Sequence, residues 1–161
     1  MSLPSKVVLR EVQAEDLPLF FEQQLDPEAN YMAAFTAKDP TDQQAFMAHW
    51  ARILGDATTT NRTILIEGQV AGSVASYEET AGRHEVTYWL GKPYWGKGIA
   101  TAALRALLAQ VTTRPIYARV AKDNRASLRV LEKCGFTIIG EDKGFANARG
   151  QEIEEWLLQL S

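Results

Sequence analysis

Cysteine is scarce in this sequence, and long hydrophobic runs are absent. The 161 residues include one cysteine, Cys134, so the chain cannot form an internal disulfide. A lone thiol suits a reducing cytoplasm, and residues 1–6 lack the apolar stretch of a secretory signal. No apolar run approaches the roughly 20 residues that a membrane span requires. We therefore expect a cytoplasmic protein with no membrane partner.

An overall basic charge is missing as well. The net charge is −3 and the pI is about 5.4, which does not favour nucleic acid as a partner. Residues 92–133 nevertheless contain nine lysines and arginines against two acids. A basic segment in an otherwise acidic chain favours the docking of an anionic ligand at that segment.

The remaining composition predicts an ordinary globular chain with mixed structure. Hydrophobic residues make up 46% of it, enough for one core at this length, so we expect a single domain over residues 1–161. Asp16 and either Thr41 or Asp42 are candidate N-caps of two early helices, whereas residues 26–39 are ambiguous. A later helix is predicted from residue 99 to about residue 110, and another, capped by Asp123 or Asn124, ends at residues 134–135. Strands are predicted at 7–12, 63–67, 70–77, 84–90, 116–120, 136–139 and 153–160. Three consecutive strands on short turns indicate an antiparallel meander, and the whole order indicates an α+β fold with a mixed sheet.

A glycine-rich turn precedes the helix predicted at residues 99–110. Gly96 and Gly98 have no side chains, so a phosphate can approach the main-chain N–H groups there. The N-terminus of the helix adds partial positive charge at the same place. The pattern predicts an anion-binding site on residues 96–101.

Two other phosphate motifs match this segment in part. Residues 91–97 fit the first seven positions of a P-loop, but the eighth position is Gly98, where a Ser or Thr hydroxyl is needed for Mg²⁺. The dinucleotide fingerprint needs glycine or alanine where Thr101 stands. A magnesium-dependent nucleotide triphosphatase and a dinucleotide-binding protein are therefore both disfavoured, and we expect no metal.

Two blocks of sequence resemble the GNAT superfamily of N-acetyltransferases. Residues 95–100, Trp-Gly-Lys-Gly-Ile-Ala, resemble its acyl-CoA motif R/Q-x-x-G-x-G/A. The longer run 88–101 is closer to the ribosomal-protein N-terminal acetyltransferase type. Residues 124–127 and 132–136 resemble the second block of that type, N-x-x-S followed by E-K-x-G-F. The resemblance implies a GNAT-like, mostly antiparallel, twisted sheet flanked by helices.

The resemblance also implies how acetyl-CoA is held. The pyrophosphate would lie on the amides of residues 96–101, and the pantetheine arm would run beside the strand 85–90, with a main-chain N–H near Trp89 or Leu90 facing the thioester oxygen. Asn124 and Ser127 would line that arm. The expected coenzyme-binding residues are Tyr88, Trp89, Leu90, Trp95, Gly96, Lys97, Gly98, Ile99, Ala100, Thr101, Asn124, Ser127 and Lys133.

Two departures limit what the resemblance implies. The first motif position is Trp95 rather than Arg or Gln. Many members of the superfamily have a general-acid tyrosine where Leu131 stands, so that role does not transfer. Ser127 is our candidate acid, and Tyr88 is an alternative that we expect to serve packing. Because free thiols have a pKa of about 8.5, the departing thiolate can also leave without an acid.

A carboxylate is the natural base for an ammonium substrate. Glu85 is our candidate because it opens the strand 84–90 and is flanked by apolar residues, although an ordinary surface glutamate fits the same pattern. Glu78 and Glu79 are weaker candidates.

The implied activity is acetyl transfer from acetyl-CoA to a primary amine, directly within a ternary complex. The amine can be a peptide N-terminus, a small amine or an amino-acid derivative, and Tyr31, Phe35 and Trp50 are candidate walls of its site. A homodimer is left open. The alternative is a GNAT-like module that binds acyl-CoA as a sensor without transfer.

Overall fold

Seven strands form one sheet in the computed structural model, which describes residues 6–79 and 82–161. The order across the sheet is β1-β2-β3-β4-β5-β7-β6. All neighbouring strands are antiparallel except β4 and β5, which are parallel. The strands are β1 (Val7–Glu11), β2 (Thr60–Ile66), β3 (Gln69–Glu78), β4 (His84–Leu90), β5 (Ile116–Ala121), β6 (Thr137–Ala146) and β7 (Gln151–Leu160). The expected meander is confirmed as β2-β3-β4.

Five α-helices among the described residues accompany the sheet, and three of them start at a side-chain cap. They are α1 (Leu17–Gln24), α2 (Pro27–Ala33), α3 (Gln43–Leu54), α4 (Ile99–Gln110) and α5 (Arg125–Lys133). Asp26, Asp42 and Asn124 each accept a hydrogen bond from the backbone N–H three residues on. The prediction for α4 is confirmed, and residues 26–39 contain the short helix α2.

Asp16 occupies the predicted N-cap position of α1, but its carboxylate makes no capping hydrogen bond to that helix. It instead accepts hydrogen bonds from Arg10 at 2.6 and 2.8 Å and from Thr63 at 2.7 Å. Asp16 is 2% exposed. A buried carboxylate is stable only when it is paired and hydrogen-bonded, and this pair ties the start of α1 to β1 and β2.

The main core lies between α4, α5 and one face of the sheet. Leu104 and Leu107 of α4 are fully buried there against strand residues such as Ile64, Ile116 and Leu158. The apolar positions of α4 follow the helical period, which is why one stripe of the helix is buried. The mixed α+β fold, with its mostly antiparallel sheet, matches the prediction.

The helix α3 lies toward the other face and packs more loosely. None of its residues is buried, although Trp50 contacts Phe20 of α1 with ring centroids 5.1 Å apart. Residues of a strand point alternately to the two faces, so Val74 belongs to the α4 core while Ser73 and Ala75 face a cavity beside α3. Within the described residues, none of the helices is long and apolar enough to cross a membrane.

Candidate functional site

The parallel strands β4 and β5 separate along most of their length. Glu85 and Tyr117 are the one residue pair that joins them within the described residues. Toward Leu90 and Ala121 the two strands are unpaired with each other, and a cavity of about 790 Å³ lies at this opening. Its walls come from both strands, α2, α5 and the glycine-rich turn. An opening of this kind leaves main-chain groups of β4 free to contact a ligand.

The glycine-rich turn borders the same cavity. Gly96 and Gly98 have φ angles of +72° and +78°, a region that glycine adopts without strain. A Cβ built on Gly96 meets nothing within 4 Å, so space lies above its backbone. Gly98 occupies the N-cap of α4 and no side chain caps the helix, which leaves the first-turn N–H groups for another partner. The arrangement suits a diphosphate.

Four further residues predicted to bind the coenzyme lie in or beside the turn, and they differ in exposure. Trp95 and Ala100 line the cavity, and Nε1 of Trp95 donates a hydrogen bond to the Leu90 carbonyl at 2.8 Å. Ile99 is 3% exposed and its side chain packs in the core, so only its amide can face a ligand. Lys97 is exposed beside the turn.

Thr101 and Lys133 stand apart from the cavity lining. The carbonyl of Thr101 accepts a hydrogen bond from Sγ of Cys134 at 3.7 Å. Burial raises the pKa of the Cys134 thiol, as expected for a packing residue rather than a nucleophile. Lys133 is exposed at the end of α5, where its carbonyl accepts from Arg105. The structure does not bring the Lys133 side chain to the cavity.

Three hydrogen-bonding residues meet on the α5 side of the cavity. The hydroxyls of Tyr88 and Ser127 are 2.8 Å apart, and both residues line the cavity. The pKa of Tyr88 is raised, because the effect of burial outweighs that of the hydrogen bond with Ser127, which acts to lower it. The side chain of Asn124 caps α5 and donates to the Met32 carbonyl at 3.2 Å. Asn124 therefore shapes the wall, and the Tyr88 hydroxyl has a hydrogen-bond partner there.

Glu85 lies at the closed end of the opening. It is 3% exposed, so the alternative of a surface glutamate is wrong. Its carboxylate accepts hydrogen bonds from the Tyr77 hydroxyl at 3.2 Å and from Nε of Arg119 at 3.4 Å. Burial and the charge of Glu85 raise the pKa of Tyr77 to about 12, so this phenol remains a donor.

Arg119 is a residue that the sequence analysis missed. Its guanidinium lies 3.4 to 3.9 Å from four carboxylates, those of Glu79, Glu85, Asp142 and Glu155. Burial raises the pKa of Glu155, and the charge of Arg119 opposes that shift. The side chains come from three separate strands and a turn, so local sequence gives no signal of the cluster. One cation faces four acids there, which leaves the end of the opening negative.

A second cavity of about 750 Å³ adjoins the first, and the two share Tyr77, Tyr88 and Trp89 among their walls. Phe35 and Trp50, two of the predicted acceptor-site aromatics, line it. Tyr31 does not, since it lies under the Arg149 guanidinium with its ring 3.9 Å from Cζ. Of the weaker base candidates, Glu78 lines the second cavity and Glu79 pairs with Arg119.

The sequence pattern of the Acetyltransferase (GNAT) domain family matches residues 6–137, and the chain therefore belongs to this family. As a GNAT protein it is an N-acetyltransferase, an enzyme class to which a curated relative also belongs by name. That relative is the uncharacterized N-acetyltransferase p20 of Bacillus licheniformis, 25% identical over 96% of this chain and 92% of the relative.

Two solved structures share the fold at low sequence identity. The spermidine N-acetyltransferase of Vibrio cholerae, in complex with CoA and spermine, has a TM-score of 0.79 and 18% identity over 96% of both chains. RimL, a ribosomal L7/L12 alpha-N-protein acetyltransferase in complex with coenzyme A, has a TM-score of 0.78 and 19% identity. That match covers 97% of this chain and 95% of RimL. Identities this low establish the fold and leave the acceptor of this chain open.

Across residues 6–79 and 82–161, the structure contains no group of three or more His, Cys, Asp or Glu side chains arranged to bind a metal ion.

Proposed function

We propose that this protein transfers the acetyl group of acetyl-CoA to a primary amine, directly within a ternary complex. One observation carries the proposal: the uncapped N-terminus of α4 and the buried carboxylate of Glu85 border the same cavity between β4 and β5. An anion site and a base at opposite ends of one opening suit a phosphate-bearing acyl donor that meets an amine in the middle.

The residues of the opening fit the donor. The amides of residues 96–101 would hold its diphosphate, since two glycines keep side chains away from the main chain there. The unpaired edge of β4 near Trp89 and Leu90 would hold its pantetheine arm and polarise the thioester carbonyl. Lys133 lies apart from the cavity, so we leave it out of this assignment.

Glu85 would act as the base on the amine. Amines enter as ammonium ions, and the carboxylate accepts one proton directly or through a water molecule. The neutral nitrogen then forms a bond to the thioester carbonyl carbon as the carbon–sulfur bond breaks. The second proton of the nitrogen moves to the departing sulfur, which leaves an amide and a thiol.

The Tyr88 and Ser127 hydroxyls would stabilise the departing sulfur. The two hydroxyls form a hydrogen-bonded pair on the α5 wall. When one hydroxyl donates a proton to the sulfur, the other can therefore pass its own proton to the first. Leu131 lines the cavity where many relatives carry a tyrosine, and it offers no proton. Because a thiol with a pKa of about 8.5 is a good leaving group, we expect this contribution to be small.

The experiment is thiol release from acetyl-CoA with a panel of primary amines, together with calorimetry of acetyl-CoA binding. We expect binding and amine-dependent thiol release, with kinetics in which both substrates must be bound before any product leaves. Binding without release on any amine would support the sensor alternative. The absence of binding would overturn the assignment of the turn itself.

A further inference from the structure

The second cavity separates α3 from the sheet and has a composition of its own. Phe20 and Phe46 form its apolar wall with Trp50, and the floor is made of β3 residues such as Ser73 and Ala75. An amphipathic helix normally buries its apolar stripe against the neighbouring layer, yet α3 buries none of its residues. The apolar stripe of α3 therefore borders space of the size of a small-molecule site.

The charged residues that line this cavity, which we call the α3 chamber, are all acidic. Its described lining includes the acidic residues Asp39, Asp42, Asp56 and Glu78 and no lysine or arginine. Hydrogen bonds from Thr41 and Thr58 lower the pKa of Asp39 and Asp56, respectively, so both stay ionised near neutral pH. His49 also lines the chamber, and burial and the charge of nearby Arg52 lower its pKa.

Two polar atoms of residues that line the chamber lack a hydrogen-bond partner among the described residues. They are Oε1 of Gln23, an acceptor, and Nε1 of Trp89, a donor, and both atoms are buried. A buried polar atom without a partner costs about 1–3 kcal/mol of stability. Trp89 lines both cavities, so this residue lies at the junction between them.

We infer that the α3 chamber binds the body of the acceptor, and that the acceptor is a small primary amine with an aromatic or similarly sized apolar body and no carboxylate. The inference rests on the proposed function and names its substrate class. The aromatic wall packs the body, and the acidic lining attracts the cation and repels an anionic group. Tyr77 lines both cavities and hydrogen-bonds Glu85, so an amine held in the chamber has its nitrogen beside the base.

The test compares four amines by kcat/KM for thiol release. 2-Phenylethylamine has the ring and one positive charge, phenylalanine adds a carboxylate, ethylamine lacks the ring, and spermidine is a polycation without a ring. We expect 2-phenylethylamine to exceed each of the others at least ten-fold. A kcat/KM for spermidine, phenylalanine or ethylamine that equals or exceeds that for 2-phenylethylamine overturns the inference and leaves the proposed function intact.

Two variants and a control locate the effect. Trp50→Ala removes part of the wall, and Ala75→Leu fills the chamber from the floor without removing a contact. Each should lower kcat/KM for 2-phenylethylamine about ten-fold and change that for ethylamine less than two-fold. Ala48→Leu, at an exposed α3 position outside the lining, is the control and should change neither.

Direct binding separates a failure of this inference from a failure of the proposed function. Calorimetry of 2-phenylethylamine in the presence of coenzyme A should give saturable binding that Ala75→Leu weakens at least five-fold. If the wild-type protein binds the amine in this way but releases no thiol, the chamber assignment stands and transfer fails. If the wild-type protein does not bind it, or if Ala75→Leu binds it as well, the chamber assignment fails.

Discussion

Glu85 on β4 accepts a hydrogen bond from Nε of Arg119 on β5 at 3.4 Å, at the end of the opening where the two strands are still paired. The bond links the candidate base to the opposite strand. Tyr77 holds the same carboxylate from β3 at 3.2 Å. With donors from both neighbouring strands, the carboxylate is fixed in one orientation at the cavity wall.

Replacement of the base tests its role directly. Glu85→Gln keeps the shape of the side chain and an acceptor for Arg119, but it cannot take a proton. We expect kcat to fall about 100-fold or more, while the dissociation constant of acetyl-CoA stays within two-fold. The measurements are steady-state thiol release and calorimetry. Glu152→Gln, at an exposed position on β7, is the control and should behave as wild type; an unchanged kcat in Glu85→Gln removes Glu85 from the mechanism.

The glycine-rich turn offers a matched pair of glycines. Gly96 in the turn and Gly68 in the β2–β3 hairpin both have positive φ, and a Cβ on either meets nothing within 4 Å. Gly96→Ala and Gly68→Ala should each cost about 1 kcal/mol of stability through backbone strain. Only Gly96→Ala should weaken acetyl-CoA binding, by at least ten-fold in calorimetry, because its methyl group occupies the approach of the diphosphate. Equal binding by both variants contradicts our site for the diphosphate.

Gly72 controls the position of β4. A Cβ there would lie 2.0 Å from the carbonyl oxygen of Trp89, which is backbone and cannot rotate away. We expect Gly72→Ala to destabilise the protein by about 3 kcal/mol in urea unfolding and to raise the KM for acetyl-CoA, since β4 has to move. Gly55→Ala is the comparison, because its Cβ makes ordinary contacts of 3.5 Å or more and should change stability little. Similar stabilities for the two variants contradict the close approach of β3 and β4.

The ion pair of Asp16 and Arg10 predicts a dependence of stability on pH. Burial alone would raise the pKa of Asp16, but hydrogen bonds from Arg10, the Gln13 N–H and Thr63 outweigh it and lower the pKa from 3.8 to about 2. A depressed folded-state pKa gives stability that is present above pH 3.8 and is lost as the pH falls toward 2.

Asp16→Asn should therefore cost about 3 kcal/mol at pH 7, because Arg10 loses its charged partner. The difference in the free energy of unfolding between this variant and the wild type should be smaller by about 1 kcal/mol at pH 3. Urea unfolding at pH 7, 5 and 3 measures both effects. Glu22→Gln, at an exposed position on α1, is the control, and its free energy of unfolding should differ little from that of the wild type at every pH. If the loss of stability in Asp16→Asn stays constant down to pH 3, the lowered pKa of Asp16 is contradicted.

The parts of this fold that the sequence predicted are those with strong local signals. The period of α4 and the glycines before it lie within one continuous stretch, so both the helix and the candidate diphosphate site were predictable. The strand β6 was predicted only to residue 139 because residues 140–146 are mostly polar and exposed at the edge of the sheet. An edge strand that buries almost no side chains has no apolar alternation to detect.

The missed features depend on contacts between distant residues. Asp16 has the sequence signature of a helix cap, and only the packing of Arg10 and Thr63 around it makes it a buried ion pair. The four carboxylates around Arg119 and the bond between Tyr88 and Ser127 likewise join separate elements. No local pattern encodes such pairs, so they were found in the structure alone.

The loose packing of α3 against the sheet has a consequence for how the enzyme would bind and release its substrates. A helix whose residues all keep some contact with solvent gives up little buried surface when it lifts from the sheet, so this segment opens at low free energy. An amine that fills the gap beneath it supplies packing that the chain itself omits. If the α3 chamber binds the acceptor as we infer, substrate binding would add packing beneath α3 and release of the acetylated product would remove it.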